Sequence, residues 1–279
     1  MRSMLILTDF SEAAFRAAEY ACELSGSLQT KRIVLYHAYQ TIIPPTDLPV
    51  FPIKENHQIY LESMEALGLL HDRLKPMVGA GVKIDMLATD AVLPEQINQL
   101  AKKEEIDVIV MGVSGRSGIE KLLMGSTTSR VLETSEFPVL IVPGKAPIGK
   151  GVKGIVFTTD LKDTSGIPAD RLQAFLDAFK ADVYVVNVDP ATEETYSPEM
   201  KEAIAGLHGL LDKYHAAFHY LHGNDIAERI LSFAGAHHAS LVIAVPKARN
   251  FVAAVFHSSV SEKLTHNSHI PLLSLPALR

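Results

Sequence analysis

Short apolar runs of strand length recur along the chain, each followed by a stretch of helical period. Residues 4–7 are apolar without interruption, as in a parallel strand covered on both faces. Asp9 and Ser11 follow at a strand-to-helix turn. Ser11 suits a helix N-cap, the helix is predicted through about Leu24, and Gly26 is its expected stop. Residues 33–38 predict a second strand. Residues 40–54, with Pro44, Pro45, Pro49 and Pro52, predict an irregular loop. Residues 58–77 carry Leu61, Met64, Leu67, Leu70 and Leu74 near one helical face. Residues 82–87 alternate and predict a half-buried strand, and Pro94 opens a helix to about Lys103. An apolar run at 108–111 ends at Gly112. Gly125-Ser126-Thr127-Thr128 opens another helix, and 139–142 is a closing strand. Strands alternating with helices predict an α/β fold with a parallel sheet and right-handed crossovers.

The order then starts again. Residues 144–154 (GKAPIGKGVKG) lack periodicity and are expected to be a linker. Residues 155–160 mirror 4–9, 183–188 mirror 33–38, and 257–276 lie over 124–143 without a gap. Ser259, Ser268, Pro271, Leu273 and Pro276 repeat Ser126, Ser135, Pro138, Leu140 and Pro143. The chain is therefore an internal duplication, with expected units at 1–146 and 152–279.

Candidate chemistry lies where the first copy's fourth strand gives way to a loop and a helix. Glycines there bare backbone N–H groups, and a helix N-terminus favours an anion. Ser126 and Thr127 add hydroxyl donors and Arg116 a charge. The same glycines also suit plain turns and a cap. The P-loop pattern Gly-x-x-x-x-Gly-Lys-Ser/Thr is missing from the sequence, and the Gly-x-Gly-x-x-Gly string at 149–154 precedes a predicted strand, whereas a dinucleotide site needs it after a strand and opening a helix.

What stands instead is Gly112-x2-Gly115-x9-Gly125-Ser126 directly after a buried strand, which resembles the nucleotide-binding motif of the universal stress protein family. Leu5-Ile6-Leu7-Thr8-Asp9-Phe10-Ser11-Glu12 resembles that family's first strand and Asp-x-Ser turn. Val34-Leu35-Tyr36-His37-Ala38 resembles its second strand and Pro138-Val139-Leu140-Ile141-Val142 its last. The resemblance covers almost all of residues 1–146. It implies two tandem doubly wound domains, each a five-stranded parallel sheet in the order 3-2-1-4-5 with helices on both faces. It also implies ATP as ligand, accompanied by Mg²⁺, which keeps most of its waters. Asp9 would contact the adenine or ribose end, and Ala38 would present main-chain groups to adenine. Gly112, Gly115 and Gly125 would approach ribose and phosphates, Ser126 and Thr127 would donate to phosphate oxygens, and Arg116 would pair with the terminal phosphate. In one-domain relatives the last strands pair antiparallel between subunits, so an intrachain pseudo-dimer through 139–142 and 272–275 is expected. A homodimer of whole chains stays open, and the protein partner is unknown.

In the second copy the gapless register replaces Gly112, Gly115 and Gly125 by Val245, Ala248 and Ser258, and Pro246 removes a further N–H. A degenerate, structural or regulatory site is expected there. Histidine is crowded in this half (His215, His219, His222, His237, His238, His257, His266, His269), and scattered surface positions are favoured over a metal site. His219 and His222 fall on opposite faces of a strand.

Composition narrows the functions. With 47% hydrophobic and 21% charged residues in 279, a packed fold is expected. A net charge of −6 argues against general nucleic-acid binding. The lone Cys22 permits no internal disulfide, and no signal-peptide pattern or apolar span of membrane length is seen, so a cytoplasmic protein is expected. The favoured function is an ATP-binding universal stress protein with a regulatory or protective output. The alternatives are a weak ATPase, for which no motif lysine or general base is evident, and a nucleotide-free structural or partner-binding protein.

Overall fold

A computed structural model describes residues 1–40, 52–113, 126–161, 164–189, 197–245 and 269–278, with backbone alone for 52–56. Along the first copy run β1 (Ser3–Leu7), α1 (Glu12–Ser27), β2 (Arg32–Tyr39), α2 (Pro52–Leu74), β3 (Lys83–Asp90), α3 (Leu93–Lys103), β4 (Val108–Val113), α4 (Ser126–Thr134) and β5 (Val139–Pro143). Along the second run β6 (Gly154–Thr158), α5 (Ala169–Phe179), β7 (Asp182–Asp189), α6 (Pro198–Leu211), β8 (Ala217–His222), α7 (Ile226–Ala236), β9 (Leu241–Ala244) and β10 (Leu272–Ser274).

These strands form one sheet in the order β3-β2-β1-β4-β5-β10-β9-β6-β7-β8. The first copy has the expected order 3-2-1-4-5, and the second repeats it in the opposite direction across the sheet. Every neighbouring pair is parallel except the central one, where β5 meets β10 antiparallel as Ile141↔Leu272, Leu140↔Leu273 and Val139↔Ser274. The apolar closing strands thus cover each other's edges, which alone would expose unpaired backbone groups.

Side chains alternate between the faces. Met4, Ile6, Ile33, Leu35, Phe157 and Leu273 pack under α1, α2, α5 and α6. Leu5, Leu7, Val34, Tyr36, Ile141 and Leu272 pack under α3, α4 and α7. Small residues let α1 lie close, with Ala17, Ala18 and Ala21 fully buried.

Two boundaries differ from the sequence reading. Helix α1 does not stop at Gly26 but runs to Ser27, because buried Leu28 anchors one more turn. The left-handed residue is Gln29, with φ 52°, and the Thr30 N–H donates to Ser25 O at 2.8 Å, closing a Schellman-type cap. Helix α2 begins already at Pro52, a residue that serves as well in a first helical turn as in a loop. Residues 41–51 of the expected loop lie outside the described residues.

The duplication extends to unusual backbone geometry. Positive φ recurs at Phe10 and Leu161, at Gln29 and Lys180, and at Glu105 and His238. The linker is tied down: Gly149 and Gly151 each donate an N–H to the Glu23 carboxylate at 2.7 Å, and their φ values of 81° and 61° favour glycine.

Not all of the second copy's histidines are scattered, contrary to expectation. His219 on β8 lies 5.5 Å, ring to ring, from His237 at the end of α7, with Phe233 and Tyr184 against both. One strand position and one helix end converge because α7 covers the β7–β8 face, a meeting that sequence spacing does not show. Burial, and then the charge of His237, hold the His219 imidazole below its usual pKa. The folded state therefore binds less proton here than the unfolded chain. Its contribution to stability is complete above about pH 6.5 and is lost as pH falls through the lower folded value. Urea unfolding from pH 7.5 to 5 is expected to show a smaller acid loss for His219→Gln than for the parent; equal slopes would refute the assignment.

Candidate functional site

The turn after β1 sets the site. The Thr8 N–H donates to Tyr36 O at 2.9 Å, which keeps the chain in sheet register past the strand. Thr8 Oγ1 accepts from the Phe10 N–H at 3.0 Å, and Asp9 Oδ1 accepts from the Ser11 N–H at 3.0 Å. Ser11 Oγ then accepts from the Ala14 N–H at 3.2 Å, so Ser11 caps α1 while Asp9 stays exposed at the turn. Phe10 holds φ 62°, which is costly without glycine, and rests 4.5 Å from the His37 ring. His37 Nδ1 lies 2.8 Å from Thr8 O, and because a carbonyl only accepts, Nδ1 carries the proton. Asn187 makes the equivalent bond in the second copy, donating from Nδ2 to Thr159 O at 2.9 Å.

A cleft of about 420 Å³ opens at the C-terminal ends of β1, β2 and β4. This is the switch point of the sheet, where the chain departs from β1 in one direction and from β4 in the other. The strands contribute Leu7, Tyr36, Ala38, Met111 and Gly112, and the turn contributes Asp9. Two helix starts close it: Val92, Leu93 and Pro94 from α3, and Ser126, Thr127, Thr128 and Arg130 from α4. Val92 offers no side-chain cap to α3, and Ser126 and Thr127 are exposed at the start of α4.

Five of the expected site residues, Asp9, Ala38, Gly112, Ser126 and Thr127, are thus brought to one cleft. Gly115, Arg116 and Gly125 lie outside the described residues. Three contributions escaped the sequence reading. Tyr36 shares a strand face with Ala38 two residues on, its hydroxyl 2.5 Å from Thr89 Oγ1. The start of α3 was legible as a helix but not as a wall. Arg130 follows Ser126 by one helical turn, which was the available signal.

Gly112 also has a packing role that the sequence reading did not foresee. A Cβ there would lie 2.8 Å from Ala14 N and closer still to the Ala13 carbonyl. The close approach is between β4 and the backbone of α1, so packing demands this glycine. In the second copy Val245 packs against the core on the helix face that holds α5. It has room because α5 starts at Ala169, well beyond the end of β6 at Thr158, whereas α1 starts at Glu12 soon after Leu7.

A larger concavity, about 930 Å³, lies where the copies meet, lined by the end of α4, the start of α5 and the tail at 276–278. It includes no residue of β1, β4, β6 or β9. Topology therefore favours the smaller cleft as the candidate site. Among the described residues no group of three or more His, Cys, Asp or Glu side chains is gathered for a metal ion. No helix among them is long and apolar enough to cross a membrane.

The family model described as "Universal stress protein family" matches residues 1–143 and again 151–276. The chain belongs to the universal stress protein family. Universal stress protein MJ0531 of Methanocaldococcus jannaschii is 30% identical over 144 residues, 50% of this chain and 81% of that protein. Universal stress protein YxiE of Bacillus subtilis is 25% identical over 143 residues, 50% of this chain and 97% of its own. These one-copy relatives each correspond to about half of this tandem universal stress protein. A solved universal stress protein from Archaeoglobus fulgidus matches the whole fold, with a TM-score of 0.72 at 18% identity and 98% of both chains covered.

Proposed function

We propose that this universal stress protein binds an adenine nucleotide, ATP, in the cleft of the copy spanning 1–146, and that occupancy serves a regulatory or protective output. The observation that carries the reading is the convergence of Asp9, Ala38, Gly112, Ser126 and Thr127, far apart in sequence, at the switch point of a parallel sheet. The apolar wall of Leu7, Ala38, Val92 and Met111 suits a base. The exposed hydroxyls and N–H groups at the start of α4 suit phosphate oxygens. Asp9 is the one carboxylate among the described lining residues. That donor set fits Mg²⁺ arriving with the phosphates and keeping its waters, not a dedicated protein cage. The ion would screen phosphate charge, and Asp9 would contact the adenine or ribose end of the nucleotide.

Mass spectrometry of ligand released from the purified, denatured protein tests the reading, and an adenine nucleotide is the expected finding. Calorimetric titration of the stripped protein is then expected to give one dominant site per chain, since the second copy has Ala248 and Ser258 in place of Gly115 and Gly125, and Pro246 removes an N–H. Two equivalent tight sites would overturn the assignment to the first copy. No nucleotide by either method would overturn the function. Incubation with ATP separates binding from slow hydrolysis.

A further inference from the structure

Arg130 is the one cation among the described residues that line the cleft. It sits one turn after Ser126 and three residues after Thr127, so its side chain shares their helical face. A guanidinium this near a helix N-terminus stands at the positive end of the helix dipole and gains from a facing anion. The anion now beside it is Glu95 of α3, at 3.6 Å, and both side chains are more than half exposed. Such a loose surface pair holds little energy.

The pair is also dispensable for joining the two helices. Asn98 Nδ2 donates to Thr134 O at 2.8 Å, and the Glu136 N–H donates to Asn98 Oδ1 at 2.9 Å. Arg130 is therefore held in the cleft wall by a weak, replaceable partner, with a planar fork that matches phosphate oxygens better than it matches a distant carboxylate.

We propose that Arg130 sets this cleft's preference for polyphosphate nucleotides over nucleosides, and that Glu95 competes with the phosphates for the same guanidinium. The proposal rests on the nucleotide reading above. When phosphate arrives over Ser126 and Thr127, Arg130 turns from Glu95 to it, and the Glu95 carboxylate is released to water. The base and ribose are untouched by the exchange.

The test is calorimetry on the full chain with Mg-ATP, and with adenosine by direct titration or displacement, for the parent, Arg130→Gln and Glu95→Gln. Loss of a charge-assisted phosphate contact is expected to weaken ATP about tenfold in Arg130→Gln and to change adenosine by less than about twofold. Removing the competitor in Glu95→Gln is expected to strengthen ATP about two- to threefold with adenosine unchanged. The two variants thus move the ATP-to-adenosine ratio in opposite directions, an outcome that a merely structural tie between α3 and α4 would not produce. A parent that binds ATP while both variants keep its ratio overturns the role of Arg130 and leaves the nucleotide reading standing. Equal weakening of both ligands in Arg130→Gln also overturns it. A parent that binds neither ligand overturns the nucleotide reading itself.

Discussion

Gly112→Val is expected to destabilise the N-terminal half severely, whatever the ligand. Most overpacking substitutions displace side chains and cost about 1–3 kcal/mol. Here the new atoms meet the backbone of α1 at Ala13 and Ala14, which cannot move without carrying the helix off the sheet. Residues Ala13, Ala14, Ala17, Ala18 and Ala21 are all buried along that contact, so a displaced helix exposes a whole face. A cost at the top of the range corresponds to a Tm lower by about 6–12 °C. The converse change, Val245→Gly, removes a partly buried side chain that packs on the core. It is expected to cost about 1–2 kcal/mol, from lost packing and added chain entropy. Thermal unfolding of the two variants beside the parent checks the pair. A Gly112→Val protein with parental Tm would mean that α1 does not lie where it is placed here.

Leu273→Asp is expected to be more disruptive still. Leu273 is 1% exposed on β10, between Leu140 of β5 and Ile243 of β9, in the core under the helices of one face. A carboxylate there has no cation within the apolar layer described, and an unpaired buried charge belongs to the class of substitutions costing more than about 4 kcal/mol. The position joins the two copies, so the damage reaches both. Loss of β10 leaves the edge of β5 open, with the aggregation that an apolar unpaired edge invites. Size-exclusion chromatography with urea unfolding is the measurement, with Leu273→Ile as a volume-conserving control. A monodisperse Leu273→Asp protein with one parental transition would refute the central pairing.

The fold was legible because the inner strands are apolar runs closed by turn residues, the edge strand β3 alternates, and the second copy restates the first. That β5 and β10 would meet followed from two apolar closing strands with exposed edges, and the antiparallel sense of the join from the resemblance to one-domain relatives. Local competition was harder to read. Gly26 had the form of a helix stop, but Leu28 two residues on was buried and carried the helix past it. The site was half legible. Asp9, Ala38, Ser126 and Thr127 were found as ends of elements, whereas Tyr36 and the start of α3 join them only through the sheet's crossovers. Gly112 was singled out for a ligand's sake, and its packing role was missed. Its nearest neighbour is α1, some hundred positions earlier, and no local pattern reports a contact of that separation.

Joining β5 to β10 inside one polypeptide also fixes the make-up of the sheet. Halves supplied as separate chains would exchange partners and come apart on dilution by mass action. In this molecule a Gly112-bearing half always faces a Val245-bearing half, at any concentration. Matched pairs of either kind do not arise by subunit shuffling, so expression level has no control over which halves meet.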